Sequence, residues 1–278
     1  VRARAAVTTI IIAFVISVLV FVANLGVWAQ RQLFDPGALA LASLEALHEE
    51  DSEQAIAAYL MDQAIQEVEL LRFVRQPGEQ AVGVVLDSGV LDATYIQVTD
   101  VVRERMVTGN PDAVVVDLLH LKAAILGPIA DVAPNLVDLI PDSVFGDIVI
   151  LDEGVLPSLR GVSEMTPWIT ALAGAAAMVL AVLLVALSRR RSLALFAVGF
   201  AVAAAGGWSL LWIGAGRPLV IGRIDHELAA VLARNGYDVL ARSLRQQSLT
   251  VLLVGVVIAA ASLLWFVGGQ VFRRQGAR

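Results

Sequence analysis

The sequence predicts an all-α membrane protein with four transmembrane helices. A mostly helical extracytoplasmic domain with a small two-stranded β element is expected beside them. Three observations carry this. Hydrophobic residues make up 58% of the 278 positions and charged residues only 17%, more apolar than a soluble domain requires. The apolar excess is gathered in four runs without an ionisable side chain. The acids are gathered almost entirely in one segment between the first and second runs. The same composition excludes intrinsic disorder, which needs low hydrophobicity. The absence of Cys excludes a disulfide framework or a thiolate metal site.

Run one is Ala5–Trp28, with only Thr8, Thr9, Ser17 and Asn24 as polar members. Run two is Pro167–Leu187, run three Leu193–Ile213 and run four Leu249–Gly269. About 20 residues of helix cross a hydrocarbon core of roughly 30 Å. Lipid offers the backbone no hydrogen-bond partner, so each run is expected to be a helix. For run one a cleaved signal peptide is the rival reading, since Val27-Trp28-Ala29 loosely fits a cleavage site. The run is much longer than a signal peptide's apolar core, which favours a retained span.

Charge predicts orientation. Arg2 and Arg4 precede run one, Arg189, Arg190 and Arg191 separate runs two and three, and Arg273, Arg274 and Arg278 follow run four. No acid accompanies them, so the positive-inside bias places both termini and the Arg loop in the cytoplasm. The expected layout is a first span at 1–28, an acidic extracytoplasmic domain at 29–166 and a second span at 167–187. A cytoplasmic Arg loop at 188–192, a third span at 193–213 and an extracytoplasmic amphipathic helix at 214–247 follow. The fourth span and a cytoplasmic tail occupy 248–278. Segment 214–247 carries five Arg against three acids, a mild exception to the rule. Trp28, Trp168, Trp208 and Trp212 fall at the outer ends of spans and Trp265 near an inner end, as interfacial indoles do.

Segment 29–166 holds 23 acids and seven basic residues and is long enough to bury a core. Asp35-Pro36 reads as an N-cap and N1 proline opening a helix to about His48. Asp51 with Gln54 reads as a capping box opening a second helix to about Gln76, with Ile56, Leu60, Ala64, Val68 and Leu71 as its apolar face. Pro77-Gly78 reads as its stop. Ser88 to Thr108 reads as a third helix ended by Gly109-Asn110-Pro111. Ala113–Val116 and Asp147–Leu151 are strand candidates that could pair. Asp117 to about Leu126 reads as helical, and Asp152 or Glu153 as the start of a helix leading to the second span. Gly214-Ala215-Gly216-Arg217-Pro218 reads as a turn. An amphipathic helix is expected over Ile224–Gln247, with a break at Asn235-Gly236 as one alternative.

Taken together, these features resemble a known type of protein. One span ends in Val27-Trp28-Ala29-Gln30-Arg31-Gln32-Leu33-Phe34-Asp35, and helices follow. A Val-rich segment Ala113-Val114-Val115-Val116-Asp117-Leu118, an apolar helix, a second segment ending Ile148-Val149-Ile150-Leu151-Asp152 and three closing spans complete the order. The chain is similar to the uncharacterised four-span integral membrane proteins common in actinobacteria, which carry a large domain after the first span. The resemblance covers most of the chain and rests on layout. That family has no established activity, so it implies no functional residues.

The search for chemistry assigns no catalytic, cofactor-binding or metal-binding residue, and no cofactor is expected. There is no G-x-S-x-G, Walker A or Rossmann glycine pattern. His226-Glu227 starts like a zinc-protease helix, but Ala230 stands at the second histidine position. His48, His120 and His226 are far apart and read as ordinary surface or core residues. Glu49-Glu50-Asp51-Glu53 lacks the spacing of a calcium loop and reads as a solvated helix start. Arg189–Arg191 is a topology signal first and an anionic-lipid contact second. No span contains an ionisable residue, the usual mark of an ion path. Asn24 is the most polar side chain in a span. The small-residue pairs Ala173-Ala177-Ala181, Gly199-Ala203 and Gly255-Ala259 read as bundle packing ahead of an oligomer interface.

The function expected is a non-enzymatic integral membrane protein of the bacterial cell envelope, acting as scaffold, accessory subunit or extracytoplasmic partner-binding protein. Its expected partners are the lipid bilayer and a membrane or envelope protein, with a homo-oligomer as an alternative and no nucleic acid. A transport component is the second reading, because the layout also resembles cell-division and macrolide-type ABC permeases. The short loop Ser188–Ser192 departs from them, since it leaves little for an ATPase to grip. An envelope enzyme acting on lipid or glycan is the third reading.

Overall fold

The structure is a computed structural model that describes residues 2–67, 72–73, 75–109, 114–117, 147–151, 159–222 and 227–275. Helix α1 spans Arg2–Ala29 and widens into a π-type turn over Gln30–Phe34. Helices α2 (Ala38–Leu47), α3 (Glu50–Glu67), α4 (Arg75–Asp87) and α5 (Asp92–Thr108) follow. Strands β1 (Val114–Asp117) and β2 (Asp147–Leu151) pair antiparallel, with Val116 opposite Ile148 and a register shift between Val114 and Val115. Helices α6 (Arg160–Leu187), α7 (Arg191–Ile221) and α8 (Glu227–Gln275) complete the described elements. The helical segment expected at Asp117–Leu126 lies, apart from the strand residue Asp117, outside the described residues; of the helix expected from Asp152 or Glu153 into the second span, the start lies outside them and the described part is helical from Arg160.

The chain divides into two compact units. The first comprises Val1–Arg31, Glu164–Gly216 and Ala241–Arg278. It contains the bulk of four helices long and apolar enough to cross a membrane. Helix α1 has 28 residues, about 42 Å at 1.5 Å per residue, more than a hydrocarbon core of roughly 30 Å. Only 17, 17, 33 and 11% of the four apolar windows are buried inside the protein. Their remaining apolar surface faces outward, Phe14, Leu172, Val257 and Leu264 among it. A soluble monomer rarely exposes contiguous apolar surface on that scale.

Within this unit Ile16, Leu184, Ala194 and Ala201 form a buried cluster that joins α1, α6 and α7. Helices α7 and α8 meet backbone to backbone. A Cβ on Gly199 would lie 2.5 Å from the Ala259 nitrogen, and one on Gly206 would lie 2.7 Å from both the Leu252 nitrogen and the Ser248 oxygen. A Cβ on Gly255 would strike the Ala203 nitrogen and lie 2.7 Å from the Gly199 oxygen. The small faces Gly199-Ala203 and Gly255-Ala259 therefore pack on each other, the arrangement that brings membrane helices closest. Gly26 of α1 serves likewise against the Thr170 side chain of α6.

The second unit comprises Gln32–Ser163 and Arg217–Leu240. Helix α2 packs on α5, and α3 on α4. Asp35-Pro36 does not cap α2. The helix begins at Ala38 behind Gly37, whose φ of 78° suits a residue without a Cβ. The Gly37 N–H donates to Asp100 Oδ1 at 3.0 Å, and Arg103 Nη1 donates to the Phe34 carbonyl at 3.3 Å, so α5 holds the entry to α2. The Asp51 capping box is also replaced. Helix α3 begins at Glu50, and Gln54 Nε2 donates to Glu50 Oε1 rather than back to the backbone.

Pro77-Gly78 opens a helix instead of closing one. Pro77 sits in the first turn of α4, where no backbone N–H is needed. Gly78 is buried, and a Cβ there would lie 2.5 Å from Met61 Sδ. That contact turns the buried face of α3 to Ala57 and Met61 and leaves Leu60 exposed, an offset from the expected stripe. The third helix starts at Asp92, not Ser88, because Gly89 turns the chain with φ 68°.

Two further breaks are absent. The expected turn at Gly214–Pro218 is helical, with α7 continuing to Ile221. Pro218 removes one N–H, and the Gly222 N–H closes on the Pro218 carbonyl. Helix α8 passes through Asn235-Gly236 unbroken. The Asn235 side chain donates to Ser52 Oγ at 2.7 Å, so it does not compete for its own backbone.

The glycine contacts give a direct test. Gly255→Ala is expected to destabilise the protein by about 1–3 kcal/mol through overpacking. Gly207→Ala, with nothing within 4 Å of its Cβ, is expected to be neutral or stabilising by up to ~1 kcal/mol. Thermal unfolding in detergent checks both, and equal midpoints for the two variants would refute the contact.

Candidate functional site

An apolar helix bundle has few ways to hold a carboxamide, and the first unit contains one. Asn24, on the last turns of α1, is 6% exposed. Its Nδ2 donates to Ser209 Oγ of α7 at 3.0 Å and to Ser248 Oγ of α8 at 3.1 Å. Both serines are 0% exposed. Gln247 Nε2 of α8 donates to the Asn24 backbone carbonyl and to Asn24 Oδ1, each at 2.9 Å. Ser209 Oγ donates onward to the Ala205 carbonyl at 3.1 Å. Both Asn24 amide donor positions and its side-chain oxygen are thus occupied, which removes most of the penalty for burying a carboxamide.

This node joins three apolar helices through Asn24, Ser209 and Ser248, which are buried, and Gln247, which is half-buried. Such bonds contribute about 0.6 kcal/mol each on average in membrane proteins, and up to about 1.7. Their larger effect is on register, because a helix sliding by one turn strands the amide. The sequence singles out Asn24 but not its partners. Gln247 falls in the segment read as an outer amphipathic helix, and Ser209 and Ser248 look like ordinary small residues. One signal was available: Ser248 follows Gln247 directly where the charged helix becomes apolar. Two buried polar atoms, Ser17 Oγ and Trp28 Nε1, have no hydrogen-bond partner among the described residues.

The second unit gathers the titratable groups. His48 follows α2 directly, and its ring lies between two carboxylates. Nδ1 is 3.2 Å from Glu53 Oε1 on the first turn of α3, and Nε2 is 3.1 Å from Asp92 Oδ1 at the start of α5. A neutral imidazole can donate to only one of them, whereas the imidazolium donates to both. Partial burial on its own lowers the His48 pKa. The hydrogen bonds and charges of Asp92 and Glu53 outweigh it and hold the pKa above the ordinary value of 6.5. The histidine read as ordinary therefore clasps three helix ends. Of the acidic cluster, Glu53 goes to His48 and Glu50 to Gln54. No group of three or more metal-ligating side chains forms among the described residues. The side chains of His120 and His226 lie outside them.

Arg189, Arg190 and Arg191 are exposed between α6 and α7, and no acid pairs with them among the described residues. No family model, no curated protein and no solved structure matches this chain.

Two outcomes follow. Asn24→Ala is expected to lower stability by about 1–2 kcal/mol. In a double-mutant cycle Asn24→Ala and Gln247→Ala should couple rather than add, as read by unfolding in detergent. For His48 the folded pKa is raised, so its stabilisation is complete below pH 6.5 and is lost as pH rises through the folded value. The wild-type midpoint should fall relative to His48→Gln between pH 6 and pH 8. Parallel pH profiles would show that the clasp adds no charge-dependent stability.

Proposed function

We propose that the chain is a non-enzymatic integral membrane protein of the bacterial cell envelope. Its helical second unit, with the short strand pair, lies outside the membrane and binds a protein partner there. The four apolar helices anchor it, with both termini and the Arg loop in the cytoplasm. The layout is that of the four-span actinobacterial membrane proteins it resembles, and we propose that it belongs with them.

The observation that carries the membrane part is the outward-facing apolar surface of the four helices, of which at most 33% of any apolar window is buried. The bent pair α4 and α5, joined at 74°, is also apolar enough by composition to count as a broken span. Its joint contains Asp87 and Asp92, and Asp92 is engaged by His48, so we place the pair with the outer unit. Partner binding is supported by charge. Segment 29–166 carries 16 more acids than basic residues, a field that steers association with a basic surface.

The chain has no Cys, so single cysteines report topology without background. An impermeant maleimide is expected to label Asp87→Cys in intact cells and Arg190→Cys only after lysis. The reverse pattern would overturn the orientation. Photo-crosslinking from exposed positions of α4 and α5 in native membranes is expected to trap a discrete, salt-sensitive adduct. Recovery of the protein alone at native expression would overturn partner binding.

A further inference from the structure

Where α6 ends and α7 begins, the two helices leave a groove of about 490 Å³. Ala181, Val185 and Ala186 line it from α6, and Leu195 and Val198 from α7. Every one of these is aliphatic. The one charged residue on its wall is Arg191, the first residue of α7. Arg189 and Arg190 precede it in the two-residue bend, and all three are exposed. The whole stretch from Pro167 to Ile213 contains these three arginines and no acid. Among the described residues none of the three forms an ion pair. The groove therefore combines an aliphatic trough with an unneutralised basic mouth at the end of two membrane-length helices.

The shape and the charge specify the occupant together. A soluble anion matches the arginines and not the trough, and a neutral lipid matches the trough and not the arginines. We propose that this groove binds an anionic phospholipid, with one acyl chain along α6 and α7 and the phosphate on Arg191, flanked by Arg189 and Arg190. The arrangement suits the chemistry of each part. A guanidinium offers a planar fork to phosphate oxygens. The N-terminal end of the α7 dipole adds positive potential at the same place. Ala181 and Ala186 keep the trough open, since larger side chains there would fill it. The site rests on the reading that the four helices lie in a bilayer. It goes beyond that reading by selecting one class of lipid at one place.

The test uses the full-length protein. Flotation with phosphatidylcholine vesicles reads membrane insertion alone. Native mass spectrometry from detergent, with phosphatidylglycerol and phosphatidylcholine of identical chains at equal concentration, reads lipid choice. Wild type is expected to float and to retain phosphatidylglycerol preferentially. Arg191→Gln should weaken that preference by about fivefold, the contribution of one basic residue near an anionic lipid surface. Ala186→Trp, which fills the groove from an exposed position, should weaken retention with Arg191 intact. Glycerol phosphate, the headgroup chemistry without chains, should not displace the lipid. Equal retention of the two lipids, or retention unchanged in both variants, would overturn the proposal while leaving the membrane reading standing. Displacement by glycerol phosphate would overturn the groove's part in it. Failure to float would overturn both.

Discussion

The close crossing of α7 and α8 is the contact on which the rest of the apolar unit depends. Gly199, Gly206 and Gly255 bring backbone within reach of backbone. No other side chain allows this, because even one methyl group would occupy the space of a main-chain nitrogen or oxygen. The crossing places Ser209 and Ser248 where one amide can bond both, and Asn24 of α1 supplies it. Gln247 then completes the Asn24 carbonyl positions. Steric permission comes first and polar specificity second. Dispersion and close packing hold the helices together, and the node selects one register among several that packing alone would tolerate.

The second unit is governed by a different balance. Its acids repel one another, so its few cations are used at helix junctions. Arg103 lies between Asp100 and the Phe34 carbonyl, Arg75 between Asp62 and Glu79, and Arg217 reaches Asp238. His48 joins this set only when protonated, which ties the junction of α2, α3 and α5 to pH. Exposed ion pairs contribute little individually. Their value here lies in position, since each fixes a point where two elements meet.

Much of the apolar unit was legible because lipid leaves the backbone no alternative to a helix. A run such as Leu193–Ile213 must satisfy its own N–H and C=O groups whatever its side chains prefer. Asn24 was legible for the same reason, being an amide in an otherwise apolar run. The errors fell where local turn chemistry met tertiary contact. Pro77-Gly78 stops helices in isolation, yet it begins one where Gly78 receives Met61. Gly214–Pro218 reads as a turn, yet the helix continues through it. At Asn235-Gly236, where a break was only one alternative, the helix runs on and Ser52 engages the asparagine.

The sequence by itself determined the helices' apolar lengths and the separation of charge along the chain. Both are properties of composition over a window and need no partner. Only the tertiary structure decided which small residues touch, which serines meet Asn24 and which carboxylates flank His48. Those are contacts between residues as far apart as 24 and 248, joined by chain folding rather than by any local period. The groove beneath Arg191 belongs to the second kind. Its arginines are plain in the sequence, but the trough exists only because α6 and α7 lie side by side.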